Sequence, residues 1–167
     1  MGKELIAYYS RPGENYVDGN IRSLDIGNTE VAARMIHELT GAEIFKIEPK
    51  VVYSENYMTC IEEAKQDLQG NVRPELTSYL ESIAEYDKIY LAYPNYWGTM
   101  PMAVWTFLER YHFSGKIIKP LCTHEGSGMG HSEADIRKLC PQATVEAGLA
   151  ITGGKVSAAK ETIQKWI

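Results

Sequence analysis

Residues 89–109, IYLAYPNYWGTMPMAVWTFLE, indicate a strand, a loop and a helix in direct succession. Residues 89–93 are apolar at every position, which is typical of a strand covered on both faces. Pro101 suits the first turn of the following helix, and Thr99 is its predicted N-cap. Apolar side chains then recur with helical spacing, at Val104, Phe107, Leu108 and Tyr111. A buried strand that leads into such a helix is typical of an α/β sheet.

The rest of the chain repeats this pattern. Four more strands are predicted from apolar runs, at residues 5–9, 117–122 and 147–151 and at the alternating edge segment 42–47. Helical periodicity fills the intervals, at residues 31–39, 57–68, 132–140 and 156–166. The first of these helices is predicted to end at Gly41, and the third to begin at the capping-box pattern from Ser132 to Asp135. Alternating strands and helices predict a three-layer, doubly wound α/β fold around a five-stranded parallel sheet.

The size and the net charge of the chain limit the number of domains and the kinds of binding partner that are expected. A chain of 167 residues with 44% hydrophobic residues has room for one sizeable core, which predicts a single domain over residues 1–167. Lys and Arg number 17 and Asp and Glu 22, so the formal net charge is -5. This charge opposes binding to a phosphate backbone, and no nucleic-acid partner is expected.

The cysteines and the N-terminal segment show no pattern typical of a metal site, a dithiol redox site, a signal peptide or a membrane span. Cys60, Cys122 and Cys140 are widely spaced and form no C-x-x-C pair, so we interpret them as reduced structural thiols. Residues 1–10 contain only a short apolar run, which is typical of neither a signal peptide nor a membrane span. A cytoplasmic protein without membrane association is therefore expected.

The first predicted strand is followed by an unusually long connection. Residues 11–26 show no periodicity, which in a compact domain indicates function or disorder. Doubly wound folds bind ligands at the carboxyl ends of their strands, and Ser10 lies at such an end. Asn28 and Thr29 open the first helix, where hydroxyl groups and free N–H groups can hold a phosphate. The alternative is that Ser10 and Thr29 only cap this helix.

Two more loops follow strand ends at the same edge of the sheet. Tyr96 and Trp97 precede Gly98, which places a flat aromatic face beside a backbone that permits close approach. Residues 123–130, after the next strand, are rich in glycine. Tyr96 and Trp97 could instead pack beneath their own loop. Three suitable loops at neighbouring strand ends favour a ligand site.

Four segments, in this order, resemble the flavodoxin family, in particular bacterial flavodoxin-like proteins with an extended first loop. They are YYSRPGENY (8–16), GNTEVAARMI (27–36), YPNYWGTMPMAVWTFLE (93–109) and CTHEGSGMGHSEADI (122–136). The resemblance implies non-covalent FMN, with its phosphate on the first loop and its isoalloxazine between the other two. It also implies a low-potential electron carrier that docks transiently onto redox partner proteins.

The resemblance assigns cofactor-binding residues to three groups. Ser10, Asn28 and Thr29 would hold the phosphate, and Arg11 and Asn15 are further cofactor-binding candidates in the first loop. The two sides of the ring are assigned to Pro94, Asn95, Tyr96, Trp97 and Gly98, and to Thr123, His124, Gly126, Ser127 and Gly128. The roles of Arg11, Asn15 and Tyr16 stay open because residues 11–26 split the phosphate loop. Arg11 either offsets the phosphate charge or points to solvent.

Gly98 has a more specific expected role. Its missing side chain is predicted to let a peptide of the 95–98 loop turn towards N5 of the reduced flavin. On this hypothesis an alanine at position 98 is penalised only in the redox state that needs the turned peptide.

Other functions fit the residues less well. An NAD(P)H-dependent quinone or flavin reductase of the same fold is the main alternative. A signalling receiver would need acidic residues where Tyr9, Ser10 and Asn95 stand, and a dinucleotide fingerprint fails at His131. Cys122, His124 and His131 suggest a nucleophile with a base, but a buried thiol without an evident orienting acid favours simple packing.

Overall fold

The strands and helices of the computed structural model, which describes residues 2–167, follow the predicted alternation. In chain order the strands are β1 (Lys3–Tyr8), β2 (Gly13–Val17), β3 (Asn20–Leu24), β4 (Glu43–Lys46), β5 (Tyr86–Pro94), β6 (Ile117–His124), β7 (Thr144–Val145) and β8 (Leu149–Thr152). The helices are α1 (Asn28–Thr40), α2 (Tyr57–Gln69), α3 (Met102–Arg110), α4 (Ser132–Leu139) and α5 (Lys160–Trp166), and a 3₁₀ helix spans Gly153–Ala158. No helix within this part of the chain is long and apolar enough to cross a bilayer.

The central sheet is parallel and has the order β4-β1-β5-β6, with β7 and β8 both paired to β6. Side chains alternate between its two faces along each strand, so that Leu5 and Ile6 enter different cores. One core includes residues of α1 and α5, such as Ile36 and Ile163. The other includes residues of α3 and α4, such as Phe107. The three-layer, doubly wound prediction is confirmed.

Three local predictions were wrong in detail. The sheet has six strands instead of five, because the strand predicted at residues 147–151 forms as β8 and a short additional strand, β7, precedes it; both pair with β6. Thr99 does not cap α3, because its hydroxyl donates to Asp135 Oδ2 at 2.6 Å and Pro101 stands at the N-cap. The helix α4 does begin at Ser132, but no capping box forms, because the Ser132 hydroxyl donates to the Met129 carbonyl. Gly41 does end α1, in the left-handed conformation expected of a C-cap glycine.

The connection after β1 contains an antiparallel hairpin, β2-β3, which the sequence analysis missed. Asp18 and Gly19 form its turn and both have positive φ, at 52° and 83°. Asp-Gly is a strong hairpin signal because both turn residues tolerate this conformation. The signal was obscured by the polar composition of both strands. The hairpin carries residues of the candidate site.

Candidate functional site

A cavity of about 410 Å³ opens at the carboxyl ends of β1, β5 and β6. This is the edge at which doubly wound folds bind ligands, and the volume falls in the usual range for such sites. Most of the predicted site residues line it: Arg11, Asn15, Asn28, Thr29, Pro94, Asn95, Tyr96, Trp97, Gly98, Thr123, His124 and Ser127. The fold therefore brings the three predicted loops to one cavity.

Three predicted residues do not line this cavity. The Ser10 hydroxyl accepts a hydrogen bond from the Glu30 N–H at 3.0 Å, so it caps the first turn of α1, as the alternative interpretation held. Gly126 donates its N–H to His124 Nδ1, and the Gly128 carbonyl accepts from Asn95 Nδ2. Both glycines have positive φ and shape the loop after β6.

The start of α1 forms a polar end of the cavity. The N–H groups of Asn28 and Thr29 have no acceptor within residues 2–167. The Thr29 and Thr123 hydroxyls share a buried hydrogen bond of 2.7 Å. Gly27 packs so closely that a Cβ there would lie 2.2 Å from Ser10 Oγ and 2.6 Å from the Arg11 carbonyl oxygen. Free N–H groups at a helix start attract an anion.

The turn at residues 96–99 forms another wall of the cavity. Trp97 and Gly98 have φ of 59° and 87°, and Tyr96 and Thr99 pair across them, as in a tight hairpin turn. Asn95 fixes this turn with both ends of its amide. Its Oδ1 accepts from the Gly98 N–H at 2.8 Å, and its Nδ2 donates to the Gly128 carbonyl at 2.9 Å.

Trp97 and Tyr96 are placed differently. Trp97 is 47% exposed, its indole N–H donates to the Ile61 carbonyl, and the Lys65 ammonium lies 5.3 Å from its ring centroid. Tyr96 packs edge-on against Tyr9, and its buried hydroxyl has no hydrogen-bond partner in the described chain. Burial raises the pKa of this hydroxyl well above its usual value. Of these two aromatic residues, Trp97 is thus the one whose ring is available to a ligand, whereas Tyr96 is largely a packing residue.

The expected turn of a peptide in the 95–98 loop stays a prediction, and the structure shows what it would cost. The 97–98 peptide donates the Gly98 N–H to Asn95 Oδ1 at 2.8 Å, so turning this peptide would break that bond. Gly98 already has positive φ without a ligand. An alanine at position 98 is therefore strained in the ligand-free protein as well, and not in one redox state alone.

Arg11 and Asn15 fix the base of the hairpin. Arg11 donates from Nε to the Glu14 carbonyl and from Nη2 to the Ser54 and Glu55 carbonyls, so it does not simply point to solvent. Asn15 Nδ2 donates to the Arg11 carbonyl at 2.8 Å. These bonds hold the hairpin against the segment before α2.

Sequence reasoning missed several residues that line the cavity: Tyr57, Cys60, Ile61, Ala64, Glu125 and Gly153, together with Tyr16, whose role had been left open. Tyr57, Ile61 and Ala64 belong to the apolar stripe of α2 that had been recognised as a helical face. Part of this stripe faces the cavity. Tyr16 stacks on Tyr57 with ring centroids 6.3 Å apart. The helix and the hairpin thus add an aromatic wall.

His131 does have an orienting acid, contrary to the sequence interpretation. Its Nδ1 lies 2.7 Å from Asp135 Oδ2, which also accepts from the Thr99 hydroxyl. The other ring nitrogen lies 3.2 Å from the position that a Cβ on Gly98 would occupy. Cys122 is not part of this group, and burial raises the pKa of its thiol to about 12, which keeps it protonated.

A doubly wound sheet with an anion-attracting helix start and an aromatic wall at one edge is an arrangement found in cofactor-binding α/β folds. Residues 23–167 match the model of the flavodoxin family, to which the chain belongs. No curated protein matches the sequence significantly.

Solved structures show the same fold. A candidate flavoprotein of Bacteroides uniformis ATCC 8492 is 27% identical, with a TM-score of 0.75, and the match covers 99% of this chain and 97% of that one. A second, of Bacteroides eggerthii DSM 20697, is 24% identical, with a TM-score of 0.74 over 98% of both chains. A flavoprotein of Lactobacillus acidophilus NCFM, solved in complex with FMN, is 19% identical, with a TM-score of 0.65 over 95% of this chain and 98% of that one.

Proposed function

We propose that this protein binds FMN non-covalently and serves as a flavodoxin-like, low-potential electron carrier. The observation that carries the proposal is the pair of free N–H groups at Asn28 and Thr29, which lie at one end of the cavity. Trp97 forms part of another wall of the same cavity. A ligand with an anionic group and a flat ring system matches both features. Membership of the flavodoxin family supports FMN as that ligand.

Each group of residues then has a distinct task. The start of α1 holds the phosphate, while Trp97 and the loop after β6 flank the ring. Bound FMN would supply one-electron and two-electron transfer. The net charge of -5 disfavours added negative charge on the ring and so lowers the reduction potential, whereas Lys65, beside Trp97, acts in the opposite direction. The same net charge suits transient docking onto basic redox partners.

A second candidate function is an NAD(P)H-dependent quinone or flavin reductase. The observation that favours it is the His131–Asp135 pair, since a carboxylate-oriented imidazole can move a proton. Its ring lies against Gly98, which lines the cavity.

One set of measurements tests the proposal. The purified protein is expected to take up FMN and to show flavin absorbance, and dithionite titration is expected to resolve two one-electron steps. Reduction by NADPH without a partner protein is expected to be slow. Fast NADPH oxidation with a quinone as acceptor would support the reductase instead, and failure to bind FMN would exclude both functions.

Replacing Trp97 tests the ring wall. We expect Trp97→Ala to weaken FMN binding by about 5- to 150-fold, since stacking of bases on aromatic side chains contributes roughly 1–3 kcal/mol. Backbone strain at this positive φ is the same for both residues, because each carries a Cβ. Titration of FMN fluorescence measures the loss. Trp97→Phe should retain most of the affinity, and an unchanged affinity in Trp97→Ala would place the ring elsewhere.

Replacing Gly98 separates strain from ligand contact. Gly98→Ala is expected to lower the free energy of unfolding by at least about 1–2 kcal/mol without FMN, from positive φ and the crowded His131 ring. Gly115→Ala is the matched control, because Gly115 has φ of 77° and open space around its Cβ position. Urea unfolding should show a larger loss of stability for Gly98→Ala than for Gly115→Ala. FMN titration should show a loss of affinity for Gly98→Ala and none for Gly115→Ala. Equal behaviour of the two variants would contradict the role of the 96–99 turn.

A further inference from the structure

The β2-β3 hairpin, residues 13–24, stands apart from the central sheet. Within residues 2–167 its two strands pair only with each other. Val17 is its one buried residue, and the residues that follow, 18–23, are all exposed. A two-stranded hairpin is only marginally stable by itself. The position of this hairpin therefore depends on the contacts at its two ends.

The base of the hairpin is fixed to the start of α2. Arg11 Nη2 donates to the Ser54 carbonyl at 2.8 Å, and Glu14 Oε1 accepts from the Tyr57 N–H at 2.7 Å. Tyr16 also stacks on the Tyr57 ring. Because several contacts hold the base, it is the end about which the hairpin can turn.

The tip of the hairpin is held by the Glu125 carboxylate. Its Oε1 accepts from the Asp18 N–H at 2.7 Å, and its Oε2 accepts from the Gly154 N–H at 3.2 Å, which ties the tip to the 3₁₀ helix. Apart from Glu125, the tip residues Asp18 and Gly19 have no hydrogen-bond partner outside the hairpin in the described part of the chain. A single side chain therefore closes this end.

The two ends of the hairpin lie beside different helix layers. The helix α2 packs beside α3, which covers one face of the sheet. The 3₁₀ helix packs beside α1, which covers the other face. Between the two ends, Asn15 and Tyr16 line the cavity, as Tyr57 and Glu125 do. The hairpin therefore crosses the carboxyl edge of the sheet along the cavity.

From this arrangement we propose that the hairpin is a strap across the cofactor site, that its tip opens about its base, and that Glu125 sets how often it opens. The inference rests on the proposed FMN function and concerns the regulation of that site. FMN enters and leaves while the tip is detached from Glu125. Since the same contact closes the strap with and without FMN, Glu125 controls the rates of exchange and leaves the affinity almost unaltered.

The first test measures the rate constants for FMN binding to the cofactor-free protein and for FMN release, by stopped-flow fluorescence. Glu125→Ala should raise both about 3- to 10-fold with a nearly unchanged dissociation constant, because it removes the bonds that close the strap. Loss of a negative charge near the phosphate would have a different signature, faster binding with slower release. Glu161→Ala, an exposed change on α5, is the matched control and should alter neither rate constant.

A reversible lock tests the strap in the opposite direction. A Cβ on Gly154 would lie 2.7 Å from Asp18 Cγ, so cysteines at these two positions are close enough to form a disulfide. The native cysteines are all buried, so they do not compete for this bond. In Asp18→Cys/Gly154→Cys, oxidation should slow FMN binding and release at least about tenfold, and reduction should restore both rates.

The outcomes separate this inference from the function on which it rests. If the wild-type protein does not bind FMN, the proposed function fails and the inference fails with it. If FMN binds but Glu125→Ala changes neither rate constant, or only one, the hairpin does not control access and only the strap inference is overturned. Equal rates in the oxidised and reduced double variant overturn it as well. Because the lock compares one protein in two states, its result does not depend on the stability of Glu125→Ala.

Discussion

Gly27→Ala is expected to disrupt the phosphate end of the proposed FMN site. The new Cβ would lie 2.2 Å from Ser10 Oγ, 2.6 Å from the Arg11 carbonyl oxygen and 2.8 Å from its carbon. A side chain could rotate away, but the Arg11 backbone cannot move without shifting the end of β1. The start of α1 must therefore move outward, and with it the free N–H groups of Asn28 and Thr29.

The expected result has two parts. Overpacking of this kind costs about 1–3 kcal/mol in the free energy of unfolding, measured with urea. FMN affinity is expected to fall about 100-fold, because a displaced helix start loses its bonds to the phosphate. Gly70→Ala is the matched control: Gly70 lies away from the cavity, and the nearest neighbour of its Cβ would be the Gln66 carbonyl oxygen at 3.2 Å. Retained FMN affinity in Gly27→Ala would show that the phosphate does not bind at this helix start.

Removal of the cofactor phosphate is the second change with a large expected effect. Hydrogen bonds to charged groups contribute about 1.5–3 kcal/mol each, so two of them predict that FMN binds about 10²- to 10⁴-fold more tightly than riboflavin. Parallel titrations of the cofactor-free protein with the two flavins measure this ratio. Equal affinities would exclude the start of α1 as a phosphate site.

Side-chain variants show which residues contribute to the preference for FMN over riboflavin. Thr29→Ala should reduce the preference for FMN, while Thr29→Ser keeps the hydroxyl and should retain most of it. Ser10→Ala should instead lower stability by about 1 kcal/mol with little change in the preference, because the Ser10 hydroxyl caps α1 at the Glu30 N–H. A large change in the preference in Ser10→Ala would mean that this hydroxyl leaves the helix for the phosphate.

The sequence predicted those parts of the site that depend on local pattern. Apolar runs locate the parallel strands, and the residues that follow β1, β5 and β6 must then meet at one edge of the sheet. For this reason Asn28, Trp97 and Thr123 were all expected at the site before their distances were known. The resemblance to flavodoxins rested on the same three loops, and the family match confirms it.

Other parts of the site depend on which segments meet in space. The stripe of α2 was visible, but nothing in its spacing shows that Ile61 faces a cavity and not a core. Asp135 stands four residues after His131, a spacing that is visible in the sequence. Only the structure shows that the turn at Gly98 packs against the imidazole, which places the His131–Asp135 pair beside the cavity wall.

By itself, the sequence determined the class of fold, the edge of the sheet that holds the site and the loops that build it, because strand burial and chain order are local properties. Only the tertiary structure decided that Ser10 caps a helix, that Tyr96 packs inward while Trp97 stays open, and that Glu125 joins the hairpin to the 3₁₀ helix. Those assignments are set by contacts between residues that are 20 to 107 positions apart, as in the bonds of Ser10 and Glu125. A hydroxyl, an aromatic ring or a carboxylate has the same chemistry in either role, and the partner that the fold brings to it determines which role it takes.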